Sequence, residues 1–160
     1  MAEGRNFDLE IITPDRVFYK GEASMIEFNT TDGEIGVYKD HIPLTVIVKP
    51  GVLTITSEED KTKAALHSGF ATILQDKVTI LAEVIEWGDE IDEERAEAAK
   101  QRAEERLRAN QASIDMARAE AALLRAVARI KTKKRYKRGV GTLGSGSFLN
   151  IEKCVENHIK

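Results

Sequence analysis

The side chains best suited to chemistry in this 160-residue sequence are arginines. Arg95 and Arg102 are seven residues apart and share one face of a helix that holds them; Arg125 and Arg129 are four apart and share a face of another. A break near residue 111 folds the two helices against each other, which sets residue 95 opposite about residue 127. Three guanidiniums, those of Arg95, Arg125 and Arg129, then converge near the open end, with Arg102 a further turn or two along. Like charges held together repel. A polyanion relieves that repulsion through bidentate hydrogen bonds, and a nucleotide phosphate is a natural one. Glu86 and Asp92 supply acceptors at the same end, suited to an adenine amino group or a ribose hydroxyl. The competing reading is an exposed, solvated hairpin whose arginines pair with Glu94, Glu97 or Glu120.

These residues bind; they do not catalyse. No glycine-rich loop of the Walker type cradles phosphates, and no acid–base dyad or triad is posed for attack. A nucleotide here is sensed and not hydrolysed. Elsewhere, Glu34 and His41 sit in a polar, glycine-bearing segment, which on its own reads as a hairpin with a surface histidine. Cys154 and His158 are four apart, but two ligands do not make a zinc site, and no metal is expected.

The elements that position these residues fall into two modules. Over residues 1–90 the pattern has a period of two. Phe7, Leu9 and Ile11 alternate with more polar neighbours, as do Ser24, Ile26 and Phe28, then Leu44, Val46 and Val48, then Val78, Ile80, Ala82 and Val84. Turn chemistry separates the runs. Thr31-Asp32-Gly33-Glu34 is an Asp-Gly hairpin signal, Lys49-Pro50-Gly51 fits a type II turn, and Glu58-Glu59-Asp60-Lys61 is a polar loop tip. Many short strands with regular turns predict an antiparallel β-sandwich or flattened barrel.

From Asp92 the composition turns to Ala, Glu, Arg, Lys, Gln and Leu, all strong helix formers. Asp92 is the expected N-cap, with Glu93 and Glu94 at the positive end of the helix dipole. Ala96, Ala99, Ala103 and Leu107 predict one buried stripe. Asn110-Gln111-Ala112-Ser113 marks the break, with Ser113 capping a second helix striped by Ile114, Ala117, Ala121, Leu124 and Ala128. Each helix is expected to run about 17–20 residues. The fold class is therefore α+β: a sandwich, then an antiparallel two-helix hairpin over 91–138. Its alanine stripes allow close approach but bury little area, so it is marginal alone and able to detach or extend. Residues 139–160 read as a glycine- and serine-rich linker and a weakly amphipathic tail.

Charge follows the same division. The net charge of −3 conceals −9 over residues 1–91 and +6 over residues 92–138. Two modules with different partners are implied, or a basic helix that is merely solvated. No run approaches the roughly 18 apolar residues of a membrane span, the N-terminal residues lack a signal peptide's apolar core, and the lone Cys154 forms no intrachain disulfide. The basic run from Arg125 to Arg138 lacks interleaved aromatics apart from Tyr136, which argues against base stacking on nucleic acid.

An ordered set of phrases resembles the epsilon subunit of bacterial F-type ATP synthases. It comprises Ile12-Thr13-Pro14, Asp32-Gly33-Glu34-Ile35-Gly36-Val37, His41-Ile42-Pro43-Leu44, Pro50-Gly51, Ser68-Gly69-Phe70, Val78-Thr79-Ile80-Leu81-Ala82 and Ile91-Asp92-Glu93-Glu94-Arg95-Ala96. Two places depart from the pattern: Lys39-Asp40 stands where Pro-Gly usually precedes the histidine, and Ser68 replaces a frequent glycine. The resemblance implies a non-catalytic rotor subunit of the central stalk, coupling ion translocation to ATP synthesis, peripheral to the cytoplasmic face of the cell membrane. It implies contacts to the gamma subunit and the polar loops of the c-ring, with Glu34 and His41 as contact residues. An extended C-terminal arm would meet the alpha/beta head and restrain ATP hydrolysis. In some members ATP is a regulatory ligand, and the head of their motif is matched by Ile91, Asp92, Arg95 and Ala96, with Glu86, Arg102, Arg125 and Arg129 at the remaining positions. Two other readings stay open: a rotor subunit with a passive hairpin, and an independent β-sandwich module with a dimerising coiled-coil tail.

Overall fold

The computed structural model describes residues 4–58, 60–109 and 113–141, with side chains undescribed for 113–115 and 137–141. Ten strands come first: β1 (Phe7–Ile12), β2 (Val17–Ala23), β3 (Met25–Thr30), β4 (Gly33–Tyr38), β5 (Leu44–Val48), β6 (Gly51–Thr56), β7 (Lys61–Leu66), β8 (Gly69–Ile73), β9 (Lys77–Ala82) and β10 (Ile85–Trp87). Helices α1 (Glu93–Arg108) and α2 (Ser113–Gly141) follow. The strands run in the order β10-β7-β6-β3-β5-β8-β9-β1-β2, with β4 on the free side of β3. A single residue pair, Thr30 with Val48, joins β3 to β5, so the sheet folds there into two layers. Between them lies a core of Leu9, Ile11, Ile26, Phe28, Leu53, Ile55, Leu66, Ile73 and Ile80, none above 2% exposed. The seam between the terminal strands β10 and β2 is closed by Trp87 stacked on Phe18 at 4.4 Å, and beside it Arg16 pairs with Glu90.

The sandwich departs from the expected antiparallel pattern at one place: β1 lies parallel to β9. They are distant in sequence, so no hairpin imposes antiparallel pairing on them. Val84 was expected to extend the last long strand, yet β9 ends at Ala82 and Val84 is exposed. Two turns also differ. Thr30 pairs with Gly33, so the two-residue loop is Thr31-Asp32, and the positive φ of +136° falls on Gly33 after the loop. Gly51 has no positive φ, so Lys49-Pro50-Gly51 is not a type II turn; its glycine answers a close approach, since a Cβ there would meet Asn29 Oδ1 at 2.1 Å. The type II geometry is at Tyr38-Lys39-Asp40-His41 instead. His41 N–H donates to Tyr38 O, and Asp40 has φ +61°, the sign that a type II turn requires at its third residue. This is where Lys39-Asp40 replaces Pro-Gly. Ser68, the other departure, donates to Glu83 at 2.5 Å.

α1 begins as predicted: Asp92 Oδ1 accepts from Arg95 N–H at 3.1 Å, with Glu93 and Glu94 in the first turn. Ala96 and Ala103 are buried, with Ala99 and Leu107 half-buried beside them. α2 differs more. It runs 29 residues, to Gly141, three past the expected end of the hairpin and into the segment read as linker. Of the described side chains of its expected stripe, only Ala128 is buried; Ala117 and Leu124 are exposed, Ala121 is between, and the Ile114 side chain lies outside the described residues. Among the described side chains of α2, the buried ones are Ala119, Ala126, Ala128, Ile130 and Thr132. At about 100° per residue these form two opposite faces. Ala119, Ala126 and Ile130 face α1, while Ala128 and Thr132 face β6 and β7, covering Val52 and Thr54. α2 is therefore the middle layer. The break at 110–112, the Ser113 cap side chain, Glu59 of the loop tip, and the tail from 142 with Cys154 and His158 lie outside the described residues.

Candidate functional site

β10 ends in Glu86 and Trp87, and its pairing with the edge of β7 turns Glu86 toward α2. Arg129 Nε–H donates to Glu86 Oε2 at 2.5 Å, tying hairpin to sandwich. The same oxygen lies 3.2 Å from Nε2 of His67, which is 1% exposed. His67 follows β7 directly, and its N–H donates to Val84 O. The Glu86 carboxyl is held far below the usual carboxylate range, at about 2, by the His67 hydrogen bond and then by the hydrogen bond and charge of Arg129, while burial opposes them. No described residue bonds Oε1 of Glu86 or the two terminal nitrogens of Arg129.

Placement of the other arginines follows from the helix faces. Along α1, Arg95 and Arg102 project about 100–120° to one side of the Ala96–Ala103 line, and along α2, Arg125 and Arg129 project about 80–120° to one side of the Ala119–Ala126 line. Glu97 and Lys134 lie on the opposite side of those lines and meet each other at 3.8 Å. The arginines therefore share the remaining flank, the one beside β10. That contact also corrects the register. The expected pairing places Glu97 opposite about residue 125, beyond the reach of Lys134; a lysine spanning about four helical residues requires Glu97 to face residues near 130. Arg102 comes level with Arg125, and Arg95 with residue 132, three residues past Arg129.

Arg95, Arg102 and Arg125 are exposed, and their side chains have no ion pair among the described residues, so the expected pairings with Glu94, Glu97 or Glu120 are not formed there. Asp92 is occupied as the N-cap, and Ile91 and Ala96 are buried at 3% each, so these three shape the entry of α1. Of the basic run, Arg129, Lys133 and Lys134 are engaged by Glu86, the Asp89 carbonyl and Glu97. Glu34 and His41 are not brought together: Glu34 is exposed near the start of β4 and His41 lies past its end, some four strand residues or roughly 13 Å away. Glu34 lines a cleft between α2 and the β3–β4 turn, and His41 Nδ1 lies 2.8 Å from Ile42 O.

Two features escaped the sequence reading. One is His67. The other is an apolar row on the outer face of the layer opposite the helices: Ile47 pairs with Phe70 and Phe70 with Leu81, exposed at 53%, 55% and 52%. Its signal was present, because Val46-Ile47-Val48 and Ile80-Leu81-Ala82 are apolar at every position and so place apolar groups on both faces of a strand. A contiguous exposed patch of this kind marks an interaction surface.

A β-sandwich whose edge strand clasps a two-helix hairpin is the architecture these elements define. Residues 6–88 match the family model for the ATP synthase delta/epsilon chain β-sandwich domain, and residues 89–134 match that for its long α-helix domain. The chain belongs to the ATP synthase delta/epsilon chain family. It is of the epsilon type, a non-catalytic subunit of the ATP synthase complex. It is 45% identical over 134 residues to the epsilon chain of Caldanaerobacter subterraneus subsp. tengcongensis, covering 83% of this chain and 97% of that one. It is 46% identical over 127 residues to that of Brevibacillus brevis, covering 79% and 96%. In fold it is similar to a chain of the Euglena gracilis mitochondrial ATP synthase, with a TM-score of 0.69 at 22% identity, covering 76% of this chain and 77% of that one. No helix among the described residues is long and apolar enough to cross a membrane.

Proposed function

We propose that the chain is a central-stalk rotor subunit whose hairpin senses ATP and regulates ATP hydrolysis. One observation carries the sensing: four arginines share a flank, three of them exposed and without ion pairs among the described residues, beside a carboxylate that already holds the fourth. A triphosphate neutralises Arg95, Arg102 and Arg125 and takes the free terminal nitrogens of Arg129; Glu86 Oε1 accepts from the ribose or the base. ATP then favours the docked hairpin by its differential affinity for that state. Released, α2 carries its basic run into the alpha/beta head. The apolar row Ile47–Phe70–Leu81 docks on the gamma subunit, and Glu34 and His41 meet the polar loops of the c-ring. Through these contacts the rotor couples ion translocation to ATP synthesis, peripheral to the cytoplasmic face of the membrane.

Titrating the isolated protein with ATP tests the sensing. Amide shifts over residues 86–130 should move in the wild type, and Arg102→Ala with Arg125→Ala should abolish the movement. Unchanged shifts at millimolar ATP in the wild type would sink it. A second reading is supported by α2 itself, which packs on both α1 and the sheet and is clamped to it by the Glu86–Arg129 pair: the hairpin is passive. Removal of residues 92–160 then leaves the ATPase rate of the assembled complex unchanged, whereas a regulatory arm's removal raises it.

A further inference from the structure

Buried between β7 and β10, His67 has chemistry that the subunit's scaffold does not require. An ionised carboxylate only accepts hydrogen bonds, so the imidazole atom facing Glu86 Oε2, Nε2, carries the hydrogen. Nδ1 is buried with no hydrogen-bond partner among the described residues. A buried polar atom left unpaired is costly, and a leucine or phenylalanine would fill the space without that cost. What histidine offers here, and an apolar side chain would not, is the donor at Nε2. Glu86 has one bond from inside the sandwich, from His67, and one from the hairpin, from Arg129, both on the same oxygen. A carboxylate gripped twice at Oε2 has its plane set and presents Oε1 as a single, fixed acceptor.

We propose that His67 is a positioning residue: it holds Glu86 so that Oε2 captures Arg129 and Oε1 faces the arginine flank as a hydrogen-bond acceptor. The part concerning Arg129 stands on geometry alone. The part concerning a ligand rests on the nucleotide reading above, and deepens it: an acceptor-only oxygen takes an amino or hydroxyl donor of the ligand and gives nothing to a bare carbonyl.

Three variants separate positioning from space-filling. His67→Gln keeps an amide donor near the Nε2 position, His67→Phe keeps the volume without the donor, and His67→Asn keeps a donor too short to reach. The full chain is labelled with 13C and 15N. The Glu86 carboxyl carbon is titrated, the Arg129 Nε–H resonance is followed, and ATP is then added. In the wild type and His67→Gln, Glu86 should titrate far below 4.5 and Arg129 Nε–H should remain protected from solvent. In His67→Phe and His67→Asn, Glu86 should titrate about one pH unit higher, Nε–H should lose protection, and ATP should bind about tenfold more weakly. Should His67→Phe fail to fold, His67→Asn against His67→Gln decides the matter. Wild-type behaviour of Glu86 and Arg129 in His67→Phe or His67→Asn overturns the proposal, as does failure of His67→Gln to restore them. If Glu86 and Arg129 respond as expected but ATP binds every variant equally, the ligand part is overturned. If the wild type binds no ATP, the nucleotide reading falls while the response of Glu86 and Arg129 still supports positioning.

Discussion

Replacing Glu86 by glutamine keeps the shape and the acceptor at Oε but removes the charge, and its effect should depend on pH in a defined window. Folding lowers the Glu86 carboxyl from an ordinary 4.5 to about 2. At 1.36 kcal/mol per pH unit this corresponds to at most ~3.4 kcal/mol. The side chain is 31% exposed, so solvent screening reduces the expected figure to about 2 kcal/mol. The sign follows from the direction. A depressed carboxyl stabilises the fold above its unfolded pKa, and that contribution fades as pH falls through the folded value. At pH 7 Glu86→Gln should therefore be about 2 kcal/mol less stable than the wild type; the gap should narrow below pH 4.5 and close near pH 2. Urea unfolding followed by fluorescence of Trp87, the single tryptophan and next in sequence to the mutated residue, measures both proteins at each pH. A gap that is the same at pH 7 and pH 2.5 would refute the reasoning, because the loss would then come from packing and not from the charge that His67 and Arg129 hold.

Asp40 has a left-handed φ of +61°, so Asp40→Gly should raise stability by about 0.5–1 kcal/mol in the same assay, the relief of strain exceeding glycine's added freedom in the unfolded chain. Phe70→Glu should leave stability within about 0.5 kcal/mol of the wild type, since the ring is largely exposed, while abolishing co-purification with the gamma subunit. Ala126 is 1% exposed between the two helices, so Ala126→Leu should overpack the hairpin and lower its thermal stability by about 1–3 kcal/mol, seen as an earlier loss of helical circular dichroism.

The strands and the start of α1 were legible because their signals are local. A period of two needs only the next residue, and Asp92 caps an amide three positions on. The face of α2 was not. Alanines at 117, 119, 121, 122, 126 and 128 leave scarcely any side without small apolar groups, so periodicity had no contrast from which to choose a stripe. That the helix uses two opposite faces is decided by the sheet beneath it. The sharing of one flank by four arginines was readable from spacing, but their register was not, because it depends on a loop and on the long reach of Lys134 to Glu97. His67 was invisible for a related reason: its partner is 19 residues away and meets it only through the β7–β10 pairing. The wrong type II assignment came from reading Pro50-Gly51 as a turn signal when Gly51 is there for Asn29.

The position of α2 as the middle layer gives the molecule a fixed order of opening. α1 packs chiefly on α2, whereas α2 also lies on β6 and β7 and is bolted at Glu86. Peeling α1 away uncovers Ala119, Ala126 and Ile130, and α2 stays in place; lifting α2 first would carry α1 with it and strip Val52 and Thr54 as well. Native-state amide exchange should therefore be graded in two steps, with α1 exchanging through a shallow opening and the stretch around Ala128 to Thr132 only through a deeper one. Shortening or weakening α1 should lower the first step and leave the second where it is.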